Sequence, residues 1–204
     1  IKQHSQTLRS FHSYHNECKM YLNWFRTLPL FIDKDGFRVV HASWNNTLID
    51  YARQHMKRFD DKTLLTTSTK GTMEYTVVKQ LLKGFEIDLP EGEKFTDKDN
   101  IQRDSIRIKW WEKHDSPTYR SMSIHQDKNL TQETVPKEKL PKSAIYPADA
   151  PPIFFGHYWQ TGTPRIMQHN VCCLDYSAGK GDKLVAYQWD GERELNNKKF
   201  IYTE

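Results

Sequence analysis

Leu30-Phe31-Ile32-Asp33-Lys34-Asp35-Gly36-Phe37-Arg38-Val39-Val40-His41-Ala42 carries the first architectural signal in the chain. Two short apolar runs, Leu30–Asp33 and Phe37–Ala42, flank an Asp-Gly step, which is a strong hairpin signal. The second run is dense in residues that suit a buried strand, and it gives way to a loop at His41-Ala42-Ser43-Trp44. A matching run, Ile153-Phe154-Phe155-Gly156, ends at His157. Two apolar strands that each stop at a histidine place both imidazoles where open sheets bind ligands and metals, at the strand ends.

On either side of the hairpin the spacing predicts helices. Cys18, Tyr21, Leu22 and Phe25 form an i, i+3, i+4, i+7 stripe from about His15, ending before Pro29. A second helix starts near Thr47, with Leu48, Tyr51 or Ala52, His55 and Phe59 along one face. A third covers Thr72–Lys83, with Met73, Val77 and Leu81 in its stripe and Gly84 as its stop. Phe85–Leu89 reads as a short strand closed by Pro90, residues 91–105 are charged and turn-rich, and Ile106–Trp110 alternates with period two. Residues 112–150 are poor in aliphatics and contain Pro117, Pro136, Pro141 and Pro147, so a solvated excursion or lid is expected there rather than core. Strand-like runs return at Ile153–Gly156, Val171–Asp175 and Lys183–Asp190. The pattern is that of an α/β (α+β) chain.

Composition sets the outer bounds. A chain of 204 residues buries roughly 70 % of its unfolded surface, and its 6 Trp, 10 Tyr and 10 Phe argue against intrinsic disorder. No apolar run reaches the ~20 residues of a membrane span, so no membrane partner is expected. Net charge is +4, from 30 basic and 26 acidic residues that are interspersed. That excess tolerates an anionic substrate without announcing a nucleic-acid binder. Cys18, Cys172 and Cys173 are odd in number and lack CxxC spacing, which points to buried thiols in a reducing, cytoplasmic setting.

Among residues that carry chemistry, His41 and His157 stand out. They either share a metal or are histidines satisfied by hydrogen bonds at a core edge, and two ligands alone are too few for a metal site. Arg103 and Arg107, near Trp110 and Trp111, either clamp an anion or are solvated strand residues. Asp175, at the end of an apolar run, either orients a ligand histidine or caps a turn. His114 and His125 fall in the polar excursion and are expected at the surface. Gly179-Lys180-Gly181 lacks the full phosphate-loop pattern, and Asp182 would repel phosphate, so it reads as a turn.

Three strings taken in order, Arg38–Trp44, Phe155-Gly156-His157-Tyr158-Trp159, and Cys173–Ser177 with Gly181–Tyr187, resemble the calcineurin-like metallophosphoesterase superfamily. The likeness is to the branch of phosphoprotein phosphatases and symmetrical diadenosine tetraphosphatases. In that branch one strand ends in His-Gly or His-Ala and a later one in Gly-His, and both histidines bind the second ion of a two-metal centre. An Asp-bearing strand, a Gly-rich turn and an edge strand follow, as do Leu174–Asp175 and Gly181–Tyr187 here. Lys83–Pro90 and Arg107–Trp111 look like the insert of bacterial members.

The resemblance covers only the C-terminal half of the family's domain. The D-x-H, G-D-x-x-D and G-N-H-[DE] motifs that supply the remaining ligands and the general acid do not occur, and Trp159 replaces the final His of the wider superfamily's G-H-x-H. With no initiator Met at Ile1, the expectation is that residues 1–204 are the C-terminal portion of a metallophosphoesterase domain. They would form half of a two-sheet sandwich flanked by helices, with a helical, loop-rich cap over about residues 46–150.

The resemblance implies hydrolysis of phosphate esters or anhydrides. His41 and His157 would be metal ligands, Arg103 and Arg107 substrate-binding, and Asp175 a support for the ligands. The cofactors would be two divalent ions (manganese, iron, zinc or nickel) roughly 3.5–4 Å apart. The substrate would be a small phosphate ester, a dinucleotide or a phosphoprotein, and the isolated chain is expected to turn over little. A half-domain exposes the face its partner covers, so dimerisation or segment exchange is one expected escape. Two other readings stay open: a non-catalytic regulatory or interaction module that kept the fold, and single-strand nucleic-acid binding suggested by pI ≈ 8.8 and the Trp110-Trp111 pair.

Overall fold

The computed structural model describes residues 4–97, 100–113, 115–125, 127–140 and 145–203. Helices α1 (Ser5–Ser10) and α2 (His15–Phe25) lead into strands β1 (Phe31–Lys34) and β2 (Phe37–Val40). Helices α3 (Asn46–His55), α4 (Asp61–Ser68) and α5 (Met73–Lys83) follow. Next come β3 (Glu86–Asp88), β4 (Phe95–Thr96), β5 (Gln102–Arg103), β6 (Ser105–Arg107) and α6 (Tyr119–Met122). The chain closes with β7 (Ile153–Phe155), β8 (Val171–Cys173), β9 (Val185–Tyr187) and β10 (Phe200–Tyr202). The fold is mixed α/β.

The hairpin forms where the Asp-Gly step predicts it, with Gly36 at φ +89° and Phe31 paired to Val40. β2 then pairs parallel to β7, and β7 parallel to β8, giving a four-stranded sheet in the order β1-β2-β7-β8. β7 and β8 are buried throughout, as strands covered on both faces must be. Ile153, Phe155, Val171 and Cys173 pack against Ile49 of α3 and Leu81 of α5 on one face. Phe154 and Cys172 pack against Val185 and Phe200 of the β9–β10 ribbon on the other. The thiols are free, and burial drives Cys172 upward and Cys173 to about 12, so both behave as apolar core groups.

Caps fix the helices that matter for the site. The Asn45 side chain accepts from Leu48 N–H at the start of α3, and Thr72 accepts from Tyr75 N–H at the start of α5. Gly84 ends α5 at φ +85°, where a Cβ would meet the Tyr158 hydroxyl at 2.4 Å. No side chain larger than hydrogen fits that corner. Met73, expected in the buried stripe of α5, is 47 % exposed, and Val77 and Leu81 carry the packing instead.

Two regions differ from expectation. Residues 112–150 are not merely a solvated excursion: Tyr119, Met122, Leu130 and Val135 enter a second core with Ile87, Phe95, Ile106 and Ile108. Their apolar residues are sparse, but these four point inward, and a Thr118–Ser121 capping box starts α6. The stripe on α2 does form a helix, yet Leu22 is 52 % and Phe25 53 % exposed. No described helix is long and apolar enough to cross a membrane.

Candidate functional site

Register carries the two histidines together. Arg38 pairs with Ile153 and Val39 with Phe154, so continuing the ladder sets His41 beside Gly156, whose N–H donates to His41 O at 3.0 Å. The β7–β8 ladder, with Phe155 opposite Cys173, likewise sets Asp175 beside His157. A regular strand would then send the 157 side chain to the face opposite that of residue 41's partner. His157 instead adopts φ +73°, which breaks the alternation, and its ring centre lies 5.2 Å from that of His41. Non-glycine residues in this left-handed region are uncommon and cluster at functional sites. Trp159 is a second one, at φ +47°.

The loops are pinned from below. Ala42 N–H donates to Leu81 O at 2.8 Å, the Ser43 hydroxyl to Gln80 O at 2.7 Å, and Trp110 Nε1 to Ala42 O at 3.0 Å. Asp175 accepts from Trp159 N–H at 3.2 Å and from Ser177 N–H at 3.1 Å. It therefore caps the turn and fixes the 157–159 backbone, and its negative charge acts on the His157 ring through space.

His157 sits in a setting unfavourable to imidazolium. Burial first, then the Arg107 guanidinium and the His41 ring, lower its pKa to about 4, against the opposing pull of Asp175 and Glu86. The ring is a neutral donor at neutral pH. Its Nε2 is buried and has no hydrogen-bond partner among the described residues, the situation that a bound ion or ordered water resolves.

Ring separation provides a second check on a shared cation. With imidazole–metal bonds of ~2.0–2.1 Å, two ligands at angles between square and tetrahedral hold their ring centres about 4.5–5.2 Å apart. The observed spacing falls at the upper end of that range. Donor number is the shortfall: among the described residues no group of three His, Cys, Asp or Glu side chains is placed to hold a metal. The donors fit one side of a coordination sphere.

A cleft of about 500 Å³ opens beside His157, walled by Glu86 and Arg107, by Phe95 and Arg103 of the β4–β5 hairpin, and by Tyr158 and Trp159. Both predicted arginines reach it, on different terms. Arg107 lies opposite Glu86 in the β3–β6 pair, with Nε 3.4 Å from the carboxylate but no hydrogen-bond alignment. Glu86 is divided between Arg107 and Lys79, whose Nζ is 3.3 Å away. Arg103 is exposed and tied to Asp97 at 2.8 Å. His125, expected at the surface, is half-buried, lines the cleft and lies 5.7 Å from the Phe95 ring. Its partner in that expectation, His114, lies outside the described residues. Gly179–Lys180 sits in a turn, as read.

Glu86 escapes notice in the sequence, because its role comes from cross-strand register and not from a motif. Comparison with protein-family models, curated proteins and solved structures returns no match.

Proposed function

We propose that this chain supplies one side of a two-metal phosphoesterase centre and the wall that receives the phosphoryl group. The observation carrying the reading is the meeting of His41 and His157, at a spacing suited to one cation, on the tips of adjacent parallel strands. Bound divalent ions supply charge neutralisation for the phosphoryl oxygens and activation of the attacking water. His41 and His157 would hold one of the ions through neutral nitrogens. Asp175 ties down the 157–159 backbone through the Trp159 N–H and caps its own turn through the Ser177 N–H. Arg107, whose carboxylate partner is shared with Lys79, offers a guanidinium face to phosphoryl oxygens. The remaining metal ligands would come from groups outside these 204 residues, so the isolated chain binds metal weakly. A cytoplasmic setting fits the three free thiols.

Manganese-dependent hydrolysis of 4-nitrophenyl phosphate tests this, using the whole gene product beside the 204-residue chain. The expected result is activity in the former that falls at least about a thousandfold on His157→Ala, and background turnover in the latter. A gene product inactive with manganese, iron, zinc and nickel would overturn the assignment, as would activity indifferent to His157.

A further inference from the structure

We propose that α2 and the groove it runs into form a self-pairing surface, and that the partner seated on it is a second copy of this chain. The pairing does not depend on the metal centre.

α2 is an 11-residue helix with no buried residue. A helix of that length is marginal in water unless an apolar face is packed, and this one carries such a face. At 3.6 residues per turn, Cys18, Met20, Tyr21, Leu22, Trp24 and Phe25 fall within an arc of about 200°, in which Glu17 is the only charge. Single exposed apolar residues are ordinary, whereas contiguous ones mark an interaction surface. The five from Met20 to Phe25 are 38–57 % exposed. Phe11, just after α1, leans on Tyr21 with ring centres 5.9 Å apart and leaves most of the arc open.

The helix leads straight into a concave counterpart. Leu28 N–H donates to Phe25 O at 3.2 Å, and from Leu28 onward the chain lines a groove of about 570 Å³ with Pro29, Phe31, Met56 and Phe59. Charges on its rim are balanced. Arg26 is paired with Asp61 at 2.7 Å and Arg53 with Asp33 and Asp50, while Lys57 and Arg58 share the rim with Asp60. No single-sign field is left to draw a nucleic acid, an anionic membrane or an acidic peptide, so apolar contact decides what binds.

A second copy meets those terms. It brings both a ridge, Trp24 beside Phe25 with ring centres 5.3 Å apart, and a groove, so the two can be exchanged about one two-fold axis. Large apolar side chains of ~150–250 Å², each about half exposed, present on the order of 600 Å² from Met20 to Leu28. The groove lining brings that near the ~800 Å² per partner of a standard interface.

Sedimentation velocity of the 204-residue chain from about 1 to 100 µM, with hydrogen exchange at both ends of that range, tests the pairing. A species of twice the chain mass is expected to dominate at the upper end. The α2 amides should exchange at least about tenfold faster on dilution, while β7 and β8 stay protected. Leu22→Glu with Phe25→Glu should weaken the dimer at least about a hundredfold, and Leu184→Glu with Ile201→Glu, at exposed positions on β9 and β10, should leave it unchanged. A monomer at every concentration would overturn the inference and leave the face to a different segment. So would a dimer that survives the α2 variant, is lost in the ribbon variant, or dissociates with no change in α2 exchange. If the α2 variant unfolds β7 and β8, the wild-type dilution series decides.

Discussion

The two walls of the cleft are built by different rules. On the sheet wall stands His157, with His41 behind it, and both follow parallel strands whose ladder, buried faces and capped helices leave little freedom. On the insert wall, Arg103 and Arg107 sit on two-stranded antiparallel pairs, each beside a carboxylate. Placement by core register gives geometry, whereas placement by surface ion pairs gives adjustable charge. A metal site needs the first and a substrate wall can use the second.

Substitutions should separate the two walls by size of effect. Phe155→Ala leaves a void under both histidines, where its ring meets Trp110 at 5.1 Å, Trp111 at 5.0 Å and Tyr158 at 5.6 Å. Denaturant unfolding should record a loss of about 3–5 kcal/mol. Acid comes next. An unfolded histidine titrates near 6.5 and His157 near 4, so between those values the unfolded chain binds the extra proton. Stability is intact above pH 6.5, declines as pH falls toward 4, and flattens below it. The contribution of this ring is at most about 3 kcal/mol and is reduced where water screens it. His157→Gln should remove that part of the pH slope.

Asp175→Asn keeps the shape of the cap but weakens two N–H contacts made to a charged acceptor. A cost of about 1–2 kcal/mol is expected, with a changed His157 environment in NMR spectra. On the insert wall, Arg103→Ala removes a half-exposed guanidinium from an Asp97 carboxylate that is 9 % exposed and keeps its bond from Ile101 N–H. Its unfolding midpoint should shift by the equivalent of about 1 kcal/mol. A larger loss there would mean that the insert wall is as rigidly placed as the sheet.

Much of this was legible in the chain because local chemistry and tertiary structure agree. Asp35-Gly36 announces the hairpin, Thr72 and Gly84 bracket α5, and each histidine follows an apolar strand. The unread parts depend on contacts between distant segments. α4 has no buried residue and no apolar stripe, and is held by the Asp60 cap and by the Thr72 hydroxyl reaching Thr66 O at 2.7 Å. β10 lies in a polar tail and exists because it pairs with β9. In 112–150 the inward residues are too widely spaced to show a period, although the fold buries them. The left-handed turn at His157 and the pairing of Arg107 with Glu86 have no sequence mark, since neighbouring strands impose them.

Zinc titration followed by two-dimensional NMR of the imidazole nitrogens tests the shared cation most directly. His12, in the turn after α1, and His15, at the start of α2, with ring centres 6.4 Å apart, provide an internal control. His41 and His157 should move together along one binding curve that either substitution abolishes, before the control pair responds. Independent curves for the two rings, or zinc captured first by the control pair, would contradict it.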